Sequence, residues 1–185
     1  MKHLLAMLCF CCSIGPLATP ALAEVIMRDT FDEAPQERWQ FFTDTVMGGV
    51  STGQVAFLPE NAKTYARLTG TVSTENRGGF IQMRSTLTEN LPDSAEGVRL
   101  ITRGNGQTYF VHLRTSGTLL PWQYYQGSFE AEQNWTEQRI PFSAFTASGR
   151  LLRSELAAET VKSIGIVAYG RNHQAEVEVL EVGFY

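Results

Sequence analysis

Cysteine is confined to the very start of this 185-residue chain, at Cys9, Cys11 and Cys12. Beyond them nothing remains for a disulfide framework, a thiolate metal site or a cysteine nucleophile. Histidine is almost as scarce: His3, His112 and His173 form no HExxH and no compact His/carboxylate triplet, so zinc chemistry lacks its ligands. Lysine occurs three times against twelve arginines, and 15 bases against 19 acids leave a net charge of -4. A broadly basic nucleic-acid binder is thereby excluded. No apolar run reaches the roughly 20 residues that a membrane-spanning helix needs, so stable membrane insertion is not expected. The 43% hydrophobic share is enough for a core, and 16 Gly with 7 Pro follow no collagen period.

The apolar stretch that does exist, Leu4–Ile14, follows Lys2 and His3 and precedes Gly15-Pro16 and Ala21-Leu22-Ala23. That order reads as a secretory signal over residues 1–23 with cleavage after Ala23, and no lipobox surrounds the cysteines. The mature protein is then expected to be a single domain over residues 24–185, exported to the periplasm or the extracellular space. About 160 residues can bury some two-thirds of their unfolded surface without disulfides.

Within that domain the pattern is of short strands: Val25–Thr30, Arg38–Phe42, Gly53–Leu58, Thr64–Val72, Gly79–Arg84, Gly97–Arg103, Gln107–Thr115, Tyr124–Glu130, Thr136–Phe142, Lys162–Tyr169 and Ala175–Phe184. Val, Ile, Thr, Tyr and Phe fill them, and Gly, Pro, Asn and Asp separate them. Only Ser154–Thr160 resembles a helical turn, and Gly104-Asn105-Gly106 reads as a hairpin turn. An all-β sandwich of two antiparallel sheets is the expectation. Alternation with period two places Phe80, Gln82 and Arg84 opposite Ile81 and Met83. It likewise places Phe110, His112 and Arg114 opposite Tyr109, Val111 and Leu113. Applied to Gly97–Arg103 as well, it predicts a central group of strands with one apolar face and one mixed face carrying Arg84, Arg99, Arg103, His112 and Arg114.

The fragments Asp44-Thr45-Val46-Met47-Gly48-Gly49-Val50-Ser51, Gly70 to Phe80 with Asn76-Arg77-Gly78-Gly79, and Arg103 to Tyr109 occur in that order. Tyr125 to Phe129, Trp135 to Phe145 and Ser163-Ile164-Gly165-Ile166 follow. In this succession the chain resembles the complex I intermediate-associated protein 30 family, the NADH:ubiquinone oxidoreductase assembly-factor domain. The resemblance implies a galactose-binding-like jelly roll, the architecture shared with many carbohydrate-binding modules. It also implies a role in assembling respiratory complex I. An export signal argues against that role, so the fold transfers better than the role.

Catalytic constellations are missing. No GxSxG surrounds a serine, no strand–GxGxxG–helix unit exists, and no pair of carboxylates is set by spacing. Asp44, Gly48, Gly49, Gly78 and Gly79 are read as a structural loop, with glycine admitting positive φ or close approach. No cofactor and no metal are expected; a structural calcium at Asp29, Asp32 and Glu33 is the alternative, because oxygen ligands suit it. The leading expectation is a non-enzymatic binding or assembly module for a protein partner. Arg84, Arg99, His112 and Arg114 form its sheet surface, with Asn76, Arg77, Trp122 and Tyr124 at the rim. The alternatives are carbohydrate recognition, to which the dense aromatic run Trp122-Gln123-Tyr124-Tyr125 points, and a hydrolase of unfamiliar type.

Overall fold

The computed structural model describes residues 24–185; the signal segment expected at residues 1–23 lies outside them. Twelve strands follow in chain order: β1 Met27–Asp29, β2 Trp39–Thr43, β3 Thr52–Glu60, β4 Lys63–Val72, β5 Phe80–Thr86, β6 Gly97–Gly104, β7 Gln107–Thr115, β8 Tyr125–Ala131, β9 Thr136–Pro141, β10 Thr146–Ala147, β11 Val161–Tyr169 and β12 His173–Phe184. Among the described residues helix is limited to one turn at Pro35–Arg38 and a few 3-10 turns. The segment expected to be helical at Ser154–Thr160 supplies only such a turn, at Ala158–Thr160.

The strands form two six-stranded sheets. In the first the order is β3-β4-β12-β6-β9, with β1 beside β12; in the second it is β10-β8-β7-β11-β5-β2. Long β12 serves two neighbours on one edge: residues 173–179 pair with β4 and residues 182–184 with β1. All pairings are antiparallel, and the result is a jelly-roll sandwich. Alternate residues of each sheet meet in the interior. Leu68, Val98, Leu100, Val177 and Val179 of the first sheet and Ile81, Met83, Tyr109, Val111, Leu113 and Ile166 of the second are fully buried. The one phenol among them is satisfied, because Tyr109 Oη donates to Asn105 Oδ1 at 2.9 Å and accepts from Glu176 N at 2.7 Å.

One topological expectation is corrected. Gly104-Asn105-Gly106 does not close a hairpin: β6 belongs to the first sheet and β7 to the second, so this turn carries the chain over the sandwich edge. Gly106 takes φ +73°, the conformation the turn requires. The neighbours of β7 are β8 and β11, and β11 also separates it from β5.

Candidate functional site

Three of the five cationic or histidine positions expected on one face do come together. On the outer face of the second sheet, Gly165 of β11 lies between its partners Arg84 of β5 and His112 of β7. Ser163, one step along that face, is opposite Arg114. Phe80, Gln82, Phe110, Gln126 and Tyr169 share the face by register. The His112 ring stacks on Tyr124 with centroids 3.8 Å apart and planes 9° from parallel. Tyr169 stands edge-on to His112 at 5.5 Å and 68°, and to Phe110 at 6.1 Å and 86°. The guanidinium of Arg84 lies over Phe42, 4.5 Å from the ring centroid.

Electrostatically this face is positive and unneutralised. Neither Arg84 nor Arg114 forms an ion pair with an acid among the described residues. Burial lowers the pKa of both, and for Arg114 the nearby Arg84 charge adds to it. His112, 8% exposed, is pulled down to about 4, chiefly by burial, and its Nε2 meets Gln126 Oε1 at 3.0 Å. It is therefore a neutral ring at pH 7. Burial, then the neighbouring Tyr169 hydroxyl, raise the Tyr124 phenol. The Arg114 guanidinium also donates to the Pro121 carbonyl, tying the loop before β8 to the sheet. Gln123 Oε1 braces that loop by accepting from Leu119 N and Leu120 N, at 2.7 and 2.9 Å.

Arg99 and Arg103 do not belong to this face. Both sit on β6, on the outer face of the opposite sheet. There Arg99 pairs with Glu181 and Glu137, Arg103 with Glu178 and Glu60, and Arg67 with Glu176 and Glu178. A register shift in β12 between Val179 and Glu181 keeps Glu178 and Glu181 on one face although they are three residues apart. These carboxylates hold Arg67, Arg99 and Arg103 above the ordinary arginine pKa, against the opposing effect of burial. Arg103 also lies over Trp135, 4.3 Å from its centroid. The first sheet carries a self-neutralised ladder rather than an open cationic surface.

The loop residues divide in a similar way. Asp44, 0% exposed, is the hub of the Asp44–Ser51 segment. It accepts from Ser51 N at 2.9 Å, Ser51 Oγ at 2.5 Å, Gly79 N at 2.5 Å and Phe80 N at 3.2 Å. These bonds outweigh burial and lower its pKa. Gly49 and Gly78 pack so tightly on that carboxylate that a Cβ at either would collide with it, while Gly48 has φ +90°. Asn76 and Arg77 are exposed in the turn just before Gly78, and both have positive φ, 54° and 62°. Trp122 is 63% exposed beside Tyr124, whose amide bonds to Ser148 Oγ.

Of the carboxylates considered for calcium, that of Asp29 is engaged by a cation of the chain itself. Arg38 Nη2 bonds Asp29 Oδ1 and the Asp32 carbonyl, both at 2.9 Å, and Arg38 Nη1 bonds the Glu33 carbonyl at 2.5 Å. Trp39 Nε1 takes Asp29 Oδ2 at 2.9 Å. Asp29 is held below the usual carboxylate range by Arg38, Trp39 and the Phe31 amide, against burial. A cleft of 350 Å³ adjoins them, bounded also by Ser85–Thr88 and Val182–Phe184, away from the aromatic face.

Sequence reasoning missed Phe42, Gln126, Gly165 and Tyr169. The alternation Ser163, Gly165, Val167, Tyr169 was available as a signal, but locating β11 between β5 and β7 required the topology.

The family model for complex I intermediate-associated protein 30 matches residues 30–180. No curated protein matches the sequence. Among solved structures, the chain is similar to the family 11 carbohydrate-binding module of the cellulosomal cellulase Lic26A-Cel5E of Clostridium thermocellum. The TM-score is 0.68 at 13% identity, over 87% of this chain and 92% of that one. The same family 11 module in complex with a β-1,3-1,4-mixed-linked tetrasaccharide gives 0.67 at 13% identity, over 84% and 92%. A family 30 carbohydrate-binding module gives 0.52 at 12% identity, over 72% and 73%. At these identities the likeness is one of fold.

Proposed function

The chain belongs to the complex I intermediate-associated protein 30 family, and from that premise we propose that it is an exported, non-enzymatic binding or assembly module that captures a protein partner on the outer face of its second sheet. Export rests on the signal pattern of residues 1–23. The observation that carries the binding surface is the meeting of Arg84 and Arg114 with Phe42, Phe110, His112 and Tyr169 on adjacent strands and with Tyr124 in the loop before β8. Aromatic and arginine side chains dominate the energetic centres of protein interfaces. The mechanism is display: paired strands hold these groups in place before the partner arrives, which lowers the ordering cost of binding. The test is crosslinking and pull-down from the exported fraction with wild-type protein, Gly165→Val and Tyr124→Ala. Capture lost in both variants supports the reading; capture retained in both refutes it.

Carbohydrate recognition is the second reading, favoured by the amides of Gln82 and Gln126 on the face that carries the Tyr124–His112 stack and by the sugar-binding modules that share the fold. Sugar rings stack best on flat aromatic faces. Here Tyr169 lies 74° from the Tyr124 plane, and His112 already covers one face of Tyr124. A glycan-array hit abolished by Trp122→Ala would favour this reading over the first.

A further inference from the structure

The two outer faces of the sandwich handle arginine in opposite ways. On the first sheet Arg67, Arg99 and Arg103 each pair with at least two carboxylates. On the second, Arg84 and Arg114 are partly buried and close enough to repel one another. What they have instead of acids is a ring, Phe42, and a carbonyl, that of Pro121. Desolvating like charges without a counter-charge is costly, so a fold keeps such a pair only where something compensates for it.

The floor between them carries almost no side chain and is itself buried beneath its neighbours. Gly165, the partner of both Arg84 and His112, contributes no side chain, and Ser163 opposite Arg114 contributes only a hydroxyl. A Cβ at position 165 would stand 3.3 Å from Gln82 Oε1, 3.4 Å from the Met83 carbonyl and 3.8 Å from Arg84 Cβ, so a larger side chain there would displace Gln82 and Arg84 and disturb the face. A carboxylate laid against this face would meet two guanidinium groups, whose planar forks match its oxygens. His112, neutral at pH 7, and Tyr124 would wall it on one side.

We propose that the segment captured on this face is an acidic peptide, with a glutamate or aspartate carboxylate paired with the guanidinium groups of Arg84 and Arg114. This rests on the protein-binding reading above and specifies the chemistry of the partner. The protein's own net charge of -4 repels polyanions in general, so saturable binding of an acidic peptide requires a local site.

The experiment is fluorescence anisotropy of a labelled octaglutamate peptide with the mature protein, with octaglutamine and polygalacturonate as competitors. Octaglutamate should bind saturably, lose affinity as salt rises, and be displaced by neither competitor. Arg84→Gln and Arg114→Gln should each weaken it about thirtyfold, a loss typical for removing one member of a desolvated charge pair. Arg28→Gln, on the opposite sheet, should leave it unchanged, and thermal midpoints should show that the variants are folded. Displacement by polygalacturonate at equal affinity would overturn the peptide assignment. So would octaglutamate binding indifferent to Arg84→Gln and Arg114→Gln. If octaglutamate fails to bind while Gly165→Val still abolishes partner capture, the acidic chemistry is refuted and the face stands. If Gly165→Val spares capture, the face itself is refuted.

Discussion

Removing the Asp44 carboxylate should loosen the Asp44–Ser51 segment and the start of β5 together. Asp44→Ala strands three backbone N–H groups, of Ser51, Gly79 and Phe80, and leaves the Ser51 hydroxyl only the Ser73 carbonyl at 3.2 Å. Each unsatisfied buried donor costs about 1–3 kcal/mol, although water entering the vacated space recovers part of the sum. A net loss of about 3–5 kcal/mol is expected, the range found when one member of a buried charged network is removed. For a domain of this size that lowers the thermal midpoint by roughly 6–20 °C. Asp44→Asn keeps the volume but turns an amide donor toward other donors, so it should cost nearly as much. Denaturation followed by calorimetry or circular dichroism decides the point. The pH dependence supplies a second reading. Asp44 has a folded pKa below its unfolded value, so its contribution is present above about pH 4 and is lost as pH falls through the lower, folded value. Asp44→Asn should flatten that acid limb. Stability within about 1 kcal/mol of wild type in both variants would refute the carboxylate as hub.

Further perturbations separate the remaining elements. His112 has a folded pKa of about 4 against an unfolded value near 6.5, so the stabilisation it gives is full above pH 6.5 and lost as pH falls toward 4. That loss is about 3 kcal/mol, and His112→Gln should remove most of it from the pH profile of the thermal midpoint. Glu181→Ala should cost about 2–4 kcal/mol by leaving the mostly buried Arg99 short of a partner, while partner capture is unchanged. Gly78→Ala should destabilise by about 1–3 kcal/mol because its Cβ runs into the Asp44 carboxylate, as urea titration would show.

Much of the fold was legible because period-two alternation is a local property. Tyr125, Gly127 and Phe129 point inward, as their parity indicates, and eleven of the strands lie where the apolar runs placed them. Strand neighbours were not legible. The arginines of β5, β6 and β7 have the same alternation, yet β6 lies in the other sheet, so pattern alone could not show that Arg99 and Arg103 face away from Arg84 and Arg114. Nor could it show that Glu178 and Glu181, on a strand 75 or more residues later, supply the missing counter-charges. The irregularity in β12 that puts both glutamates on one face leaves no mark that alternation would detect. Likewise, nothing in the pattern could foresee Arg38 folding back onto the Asp29 carboxylate and the carbonyls of Asp32 and Glu33.

Amide chemical-shift mapping of the isotope-labelled protein, titrated with the captured partner, tests the location of the binding surface most directly. Shifts centred on Arg84, His112, Tyr124, Gly165 and Tyr169, with β6 and β12 silent, are the predicted result. Shifts centred instead on the Arg99–Glu181 ladder, or on the cleft beside Asp29 and Arg38, would contradict it.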